Sequence, residues 1–334
     1  MSGKVFQVDD TSYLVPYTYE TARLSEVGIK LEEGFCESPE DVIARASDAD
    51  VLWLSWNPHI DRVILESLPQ LRLVIRWGIG YEQIDLEAAT ELGIAVANAP
   101  TYGTNDVAEH ALSLLLALER RIVFFDADMR RGGWSTPEAG SIRRVQGRTL
   151  GLLGVGRIGA ALARRAQAIG LTVIGFDAYR SDEDFAAIGV EQVSLEALAE
   201  RSDYVSLHVP HTPETNAIVD AVFLDRMKST SYLINTARGK VVDEDALIAA
   251  LETGAIAGAG LDVYENEPLA VDSPLRSLPN VVLTPHYAGY SGDSWADLRE
   301  EMCRTTIEFL TTGWADTIVN PAVKDRLRAQ VPRS

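Results

Sequence analysis

Three charged side chains follow closely on short apolar runs in the second half of the chain: Arg238 in INTARGKVVDE, Glu267 in LDVYENEP and His286 in LTPHYAG. In an open parallel sheet, ligands bind outside the carboxyl ends of the strands, so residues beyond three strand ends can face one crevice. A histidine exchanges a proton near neutral pH, and a neighbouring carboxylate orients it and favours its charged form. An arginine polarises a carbonyl or holds a carboxylate. This combination suits hydride transfer to the carbonyl of a 2-keto acid. Each charge alone also reads as a surface-loop residue, or for Arg238 as a helix-capping contact. Their joint placement beyond strand ends carries the catalytic reading.

Hydride chemistry needs a carrier, and TLGLLGVGRIGAALARRAQAIGLTVIGFDAY holds the features of a dinucleotide site. Gly154, Gly156 and Gly159 stand in G-x-G-x-x-G spacing after a strand-like run and before a helix. The first glycine permits the tight turn, the second lets a pyrophosphate approach the backbone, and the third lets the helix pack closely on the sheet. The helix start aims N–H groups and a partial positive charge at the phosphates. Asp177 closes the next apolar strand at about the required distance, where its carboxylate accepts from an adenosine ribose and repels a 2′-phosphate, favouring NAD over NADP. Arg180 is a nearby side chain able to accommodate a phosphate, but Asp182, Glu183 and Asp184 add negative charge to the same loop.

The elements that position these residues alternate along the chain. KVFQV, VLWLS, LRLVIRW and GIAVAN read as strands between helix-like segments, one of which starts at Ser38 with Pro39 in its first turn and Asp41 three residues on. TNDVAEHALSLLLALERRI reads as one long, mostly buried helix crossing between domains, with His110 as a hydrogen-bonded core histidine. TLGLLG, TVIGFD, YVSLH, SYLIN, AGLDV and VVLT then predict a second sheet of six strands, with Gly254 capping the helix DEDALIAALETG. A final amphipathic helix, SWADLREEMCRTTIEFLTTG, precedes a polar tail and is expected to return to the first domain. Alternation of this kind means α/β architecture with parallel sheets covered by helices.

A chain of 334 residues that is 46% hydrophobic suffices for two domains with full cores. Its formal charge of −19 argues against nucleic acid or an anionic membrane as partner. The two cysteines, Cys36 and Cys303, have no metal-like neighbours, so neither a disulfide framework nor a zinc site is expected. His208 and His211 form an H-x-x-H pair, but in a strand-to-loop exit with no helix to align the rings, so no metal site is assigned. The start MSGKVFQVDD lacks an apolar signal core and no stretch reaches about 18 apolar residues, which fits a cytoplasmic enzyme.

The strings LGLLGVGRIG, HVPHTPET, INTARGKVVDE, LDVYENEP and TPH, in this order, resemble the NAD-dependent D-isomer-specific 2-hydroxyacid dehydrogenases, from about residue 40 to residue 320. The resemblance implies His286 as acid/base, Glu267 as its partner and Arg238 as the substrate-binding arginine. It also implies a Rossmann cofactor domain, residues 104–290, inserted in a flavodoxin-like substrate domain made of residues 1–103 and 291–334, both doubly wound. RWGIGYEQIDLEAATELGIAVANAP is similar to the family's substrate loop, in which amides around Gly78, Ile79 and Gly80 receive the substrate carboxylate and Arg76 adds charge. Thr104, Thr236 and Asp262 match positions near the nicotinamide, and Pro210 and Thr215 positions near the adenine and phosphates. Arg157, Ile158, His208, Ala237 and Gly289 complete the cofactor contacts that the resemblance implies.

Within the family, Arg76 and TPHYAGYS look most like the branch of the C-terminal-binding-protein corepressors. Gly289 departs from that branch, which carries a tryptophan there. A homodimer is implied through the cofactor domain and the stretch FFDADMRRGGWSTPEAGSIRRVQG. The expected activity is NAD(H)-dependent interconversion of a small D-2-hydroxy acid and its 2-keto acid. The alternatives are a 3-phosphoglycerate or phosphonate-type 2-hydroxyacid dehydrogenase and an NAD-sensing interaction protein.

Overall fold

The computed structural model describes residues 3–9, 16–134 and 142–329. The chain divides into two compact units, Met1–Gly103 with Ser291–Ser334, and Thr104–Tyr290.

The first unit alternates strand and helix: β1 (Gly3–Gln7), α1 (Thr18–Ser25), β2 (Ile29–Glu33), α2 (Pro39–Arg45), β3 (Val51–Leu54), α3 (Arg62–Ser67), β4 (Leu73–Arg76), α4 (Leu86–Glu91) and β5 (Ala95–Ala97). The described strands form one parallel sheet in the order β2-β1-β3-β4-β5. Successive strand residues point to opposite faces, and both faces are buried. Val5, Trp53, Ile75 and Ala97 lie in one core cluster and Phe6, Leu52, Val74 and Val96 in the other. This explains why the inner strands read as continuous apolar runs. β2, with sequence IKLEE, lies at the sheet edge with only Ile29 buried, and carries no such run. Ser38 caps α2 as expected, its Oγ accepting from the Asp41 N–H at 3.2 Å.

The second unit runs α5 (Thr104–Glu119), α6 (Ile122–Arg130), β6 (Thr149–Leu153), α7 (Arg157–Ala168), β7 (Thr172–Phe176), α8 (Asp182–Ala187), β8 (Glu191–Gln192), α9 (Leu195–Arg201), β9 (Tyr204–Leu207), α10 (Ala221–Arg226), β10 (Tyr232–Asn235), α11 (Glu244–Thr253), β11 (Gly258–Leu261) and β12 (Val281–Leu283). Its parallel sheet has the order β12-β11-β10-β9-β6-β7-β8. The order reverses between β6 and β9, which opens a crevice beyond the strand ends for a ligand. The seventh strand, β8, is the two-residue exposed edge and has no apolar run to announce it.

The long helix differs from the sequence expectation. It ends at Glu119, Arg121 takes a left-handed φ of 54°, and α6 starts at Ile122. Nor does α5 cross between domains. Its apolar face, Ala108, Ala111, Leu114, Leu115 and Leu118, packs in a core cluster of the second unit with Leu150, Leu162 and Ile234. Glu119, fully buried, is held by Arg143 Nη2 and the Tyr204 hydroxyl, each at 2.7 Å.

The last helix, α12 (Gly292–Thr312), belongs to the first unit, with Leu298, Met302 and Phe309 in its core and Trp53 Nε1 donating to Thr306 Oγ1 at 3.0 Å. Its Arg299 forms a two-pronged ion pair with the buried Glu20 of α1. The tail, read as merely polar, is docked. Val323 is buried, and Arg328 donates to the carbonyls of Leu92 and Leu68 at 2.7 and 2.8 Å, at the C-terminal ends of α4 and α3.

Candidate active site

The glycine loop follows from close approach. Gly154 has φ 96°, and a Cβ there would lie 2.8 Å from the His208 carbonyl carbon. A Cβ on Gly159 would lie 2.3 Å from the Gly154 oxygen, so α7 can pack this tightly only on glycine. Gly156 faces open space and caps α7 without a side-chain bond, which leaves the first amides of a 12-residue helix for an anion. Exposed Arg157 and partly buried Ile158 begin that helix. Asp177 closes the loop from β7: one oxygen accepts the Val155 N–H and the other the Tyr179 N–H, both at 2.9 Å.

From β9, the His208 ring meets Ser206 Oγ at 2.9 Å, and burial pushes its pKa down to about 4, so it is neutral at physiological pH. His211 bonds instead to Asn216, so the H-x-x-H pair does not converge. Thr215 Oγ1 donates to the Pro210 carbonyl at 2.7 Å and closes the turn between them. The hydroxyls of Thr104 and Thr236 are buried without a hydrogen-bond partner. A buried hydroxyl without a partner is costly, and an incoming amide or phosphate group relieves that cost. These two orphans, the open Gly156 and the N-terminus of α7 fit a nicotinamide dinucleotide.

The three candidate catalytic residues come together beyond the adjacent strands β10, β11 and β12. After β10, Asn235 shapes the turn, accepting from the Ala237 N–H at 3.0 Å and donating to the Arg238 carbonyl at 2.9 Å. Arg238 itself donates to the Ala237 carbonyl at 2.7 Å. Gly239 lets this turn press on the next loop, since a Cβ there would lie 1.8 Å from the Tyr264 oxygen. Beyond β11, Glu267 accepts the Tyr264 N–H at 3.0 Å through one oxygen and meets His286 Nδ1 at 2.6 Å through the other. Burial raises the Glu267 carboxyl, but His286, the Tyr264 N–H and nearby Arg238 outweigh it and hold the carboxyl below its usual range. With Nδ1 turned to Glu267, Nε2 is the ring nitrogen that could exchange a proton with a bound substrate.

Asp262 organises the histidine loop. Its carbonyl accepts the His286 N–H at 2.7 Å, and its carboxylate accepts the N–H groups of Tyr287 and Ala288, both at 2.9 Å. Three successive amides held by one residue offset the strain of His286, whose φ is 56°. This support, with Asn235 and Thr284, escaped the sequence reading. The aspartate's place at a strand end was visible there, but its partners, more than 20 residues on, were not.

Arg76, Gly78, Ile79 and Gly80 belong to the other unit, at the end of β4. Arg76 is buried, its guanidinium lies 4.7 Å from the Trp56 ring centre and it donates to the Trp77 carbonyl. Asn98 Nδ2 donates to the Ile79 carbonyl at 2.6 Å. Asp9 accepts the N–H groups of Ser55, Trp56 and Asn57, which shapes the loop carrying Trp56.

The geometry agrees with what the chain is similar to. The family model described as "D-isomer specific 2-hydroxyacid dehydrogenase, NAD binding domain" matches residues 112–288. Over 321 residues the chain is 42% identical to the glyoxylate reductase of Korarchaeum cryptofilum, covering 92% of this chain and 97% of that protein. It is 37% identical over 302 residues to the D-3-phosphoglycerate dehydrogenase of Mycobacterium bovis, covering 90% of this chain but 56% of that longer protein. Among solved structures, D-lactate dehydrogenase from Aquifex aeolicus, complexed with NAD and lactic acid, superposes with a TM-score of 0.83 at 29% identity, covering 95% of this chain and 99% of that one. The glycine loop, the His286–Glu267 pair and these likenesses meet in one conclusion: the chain belongs to the D-isomer specific 2-hydroxyacid dehydrogenases, and its activity is nicotinamide-dependent oxidoreduction between 2-hydroxy and 2-keto acids.

Proposed function

We propose that this enzyme reduces a small 2-keto acid with NADH, and that glyoxylate is the first substrate to test. The 2.6 Å His286–Glu267 pair beyond β11 and β12 carries the reading, supported by likeness to glyoxylate reductases. NADH supplies the hydride that reaches C2. His286 Nε2 gives its proton to the keto oxygen while Glu267 steadies Nδ1 and the charge of the ring. Arg238 bridges the carboxylate and carbonyl, favouring negative charge as it develops on oxygen. Arg76 and the amides at Gly78, Ile79 and Gly80 are assigned to recognition of the substrate carboxylate. Thr104 and Thr236 hold the nicotinamide amide with Ala237 and Gly289 near it, Gly154, Gly156, Arg157, Ile158 and Gly159 receive the pyrophosphate, and His208, Pro210 and Thr215 line the adenosine side.

The test is a screen of 2-keto acids with each coenzyme. Turnover of glyoxylate or a slightly larger 2-keto acid is expected, and turnover of none overturns the reading. Because the Asp177 carboxylate beside the glycine loop repels a 2′-phosphate, kcat/KM with NADH is expected to exceed that with NADPH by at least about tenfold, or roughly 1.4 kcal/mol. Equal use of NADPH removes Asp177 from that role.

Glu267→Gln is expected to act through pH. Glu267 is held in its anionic form partly by His286, and the coupling is mutual, so loss of that charge disfavours the protonated imidazole. The alkaline limb of the reduction profile is then expected to move to lower pH. An unmoved limb separates Glu267 from the proton relay.

The enzyme is further proposed to work as a cytoplasmic homodimer. Among the described residues no helix is long and apolar enough to cross a membrane. Ile122, Val123 and Met129 on α6 and Trp134 just beyond it are exposed, and exposed apolar groups this close together mark contact surfaces. Residues 135–141 of the expected dimer stretch lie outside the described residues. Sedimentation is expected to give twice the chain mass, and Val123→Glu to shift it towards the monomer.

A further inference from the structure

We infer that His110, an α5 residue far from the catalytic trio in sequence, is a positioning residue for the acid/base: it heads a directed hydrogen-bond chain that holds the loop of His286. This rests on the assignment of His286 above.

Donor counting sets the direction. Thr284 Oγ1 lies 2.5 Å from Asp262 Oδ1, and a carboxylate only accepts, so the single hydroxyl proton of Thr284 points to Asp262. His110 Nε2 lies 2.9 Å from the same hydroxyl oxygen and therefore donates to it, which fixes a proton on Nε2. From His110 to Asp262 Oδ1 directly is 3.6 Å, too long for a good hydrogen bond, so Thr284 is the link. Asp262, with 1% of its surface exposed, in turn accepts the amides of Tyr287 and Ala288 through its side chain and that of His286 through its carbonyl. The Tyr264 hydroxyl donates to the Thr284 carbonyl at 2.8 Å, and Thr284 N–H to the Leu261 carbonyl at 2.9 Å, so the link is fixed from both sides.

The chain has a purpose because His286 sits at φ 56°, where a side-chain-bearing residue persists only when its surroundings impose it. Asp262 aims its oxygens correctly only while the Thr284 hydroxyl is turned to it. A lone threonine hydroxyl can rotate and donate elsewhere. A donor from His110 occupies the competing lone pair and removes that freedom. His110 thus affects the placement of the His286 ring without touching the reacting atoms.

The experiment follows NADH-dependent glyoxylate reduction in the full-length enzyme. His110→Leu is expected to lower kcat at least about tenfold with a smaller change in KM, because misplacement of an acid/base by a fraction of an ångström acts on the chemical step. His110→Gln, which carries an N–H donor of similar reach, is expected to recover most of that loss. Thr284→Val is expected to lower kcat likewise and Thr284→Ser to recover it. The double variant His110→Leu/Thr284→Val is expected to be no worse than the poorer single variant, since both break one chain. If His110→Leu does not fold, the Thr284 pair decides: a Val variant as fast as the Ser variant overturns the proposal. Equal rates for His110→Leu and His110→Gln, or additive losses in the double variant, also overturn it. His286→Ala serves as the control. If it keeps normal turnover, the acid/base assignment and this proposal fall together. If it is inactive while His110→Leu is normal, the positioning role alone fails.

Discussion

Replacing His286 with Ala is expected to lower kcat for 2-keto acid reduction by about 10²–10⁴-fold, the range lost with a general acid. NADH binding is expected to change little, because the glycine loop and Asp177, assigned above to the dinucleotide, hang from β6 and β7, at the opposite side of the sheet order from β12. The loss comes from chemistry rather than collapse. The amide of residue 286 still donates to the Asp262 carbonyl, and alanine carries the same Cβ as histidine, so the left-handed backbone, which costs either residue about 1–2 kcal/mol, adds little new strain. Single-turnover kinetics with preloaded NADH separate the two steps: a slow hydride step with normal coenzyme affinity supports the assignment, and a normal hydride step refutes it.

Arg238→Lys is expected to cost about 10²-fold or more in kcat/KM, with both kcat and KM damaged. A guanidinium presents a planar fork to two oxygens at once, whereas an ammonium is a point charge on a flexible stem. Loss of one donor aimed at developing oxyanion charge is worth about 10²–10³ in rate. The surroundings of Arg238 leave little room for adjustment, because Asn235 fixes its turn and Gly239 presses that turn against Tyr264. A second signature accompanies the rate. Arg238 helps to hold the Glu267 carboxyl below its usual range, and lysine keeps the positive charge, so the pH profile is expected to shift far less than in Glu267→Gln. Near-normal turnover in the lysine variant makes Arg238 a structural residue.

The parts of the molecule that were readable from the chain are those decided by neighbours in sequence. The spacing of Gly154, Gly156 and Gly159 between a strand and a helix follows from contacts within one turn, as does the Ser38 cap on α2. The inner strands β3, β4 and β6 declared themselves because burial on both faces makes all but their end residues apolar or glycine. The edge strands β2 and β8 did not, since an edge needs no such run.

The break at Arg121 was also hidden. Apolar periodicity continues through it, and the left-handed turn that ends α5 involves the seating of Glu119 against Arg143 and Tyr204, whose positions lie 24 and 85 residues further on. The docking of Arg328 on the carbonyls of Leu68 and Leu92 is of the same kind.

The amino-acid sequence by itself determined the α/β class, the nicotinamide chemistry and the identities of Arg238, Glu267 and His286 as strand-end charges, because residue type and local spacing suffice for these. Only the tertiary structure decided that Glu267 meets Nδ1 of His286, that Asp262 grips three consecutive amides, and that His110 reaches that grip through Thr284. A side chain's chemistry is written in its own residue. Its orientation is set by partners that the parallel sheet brings together across 19 to 174 positions, and no local pattern encodes a hydrogen bond at that separation.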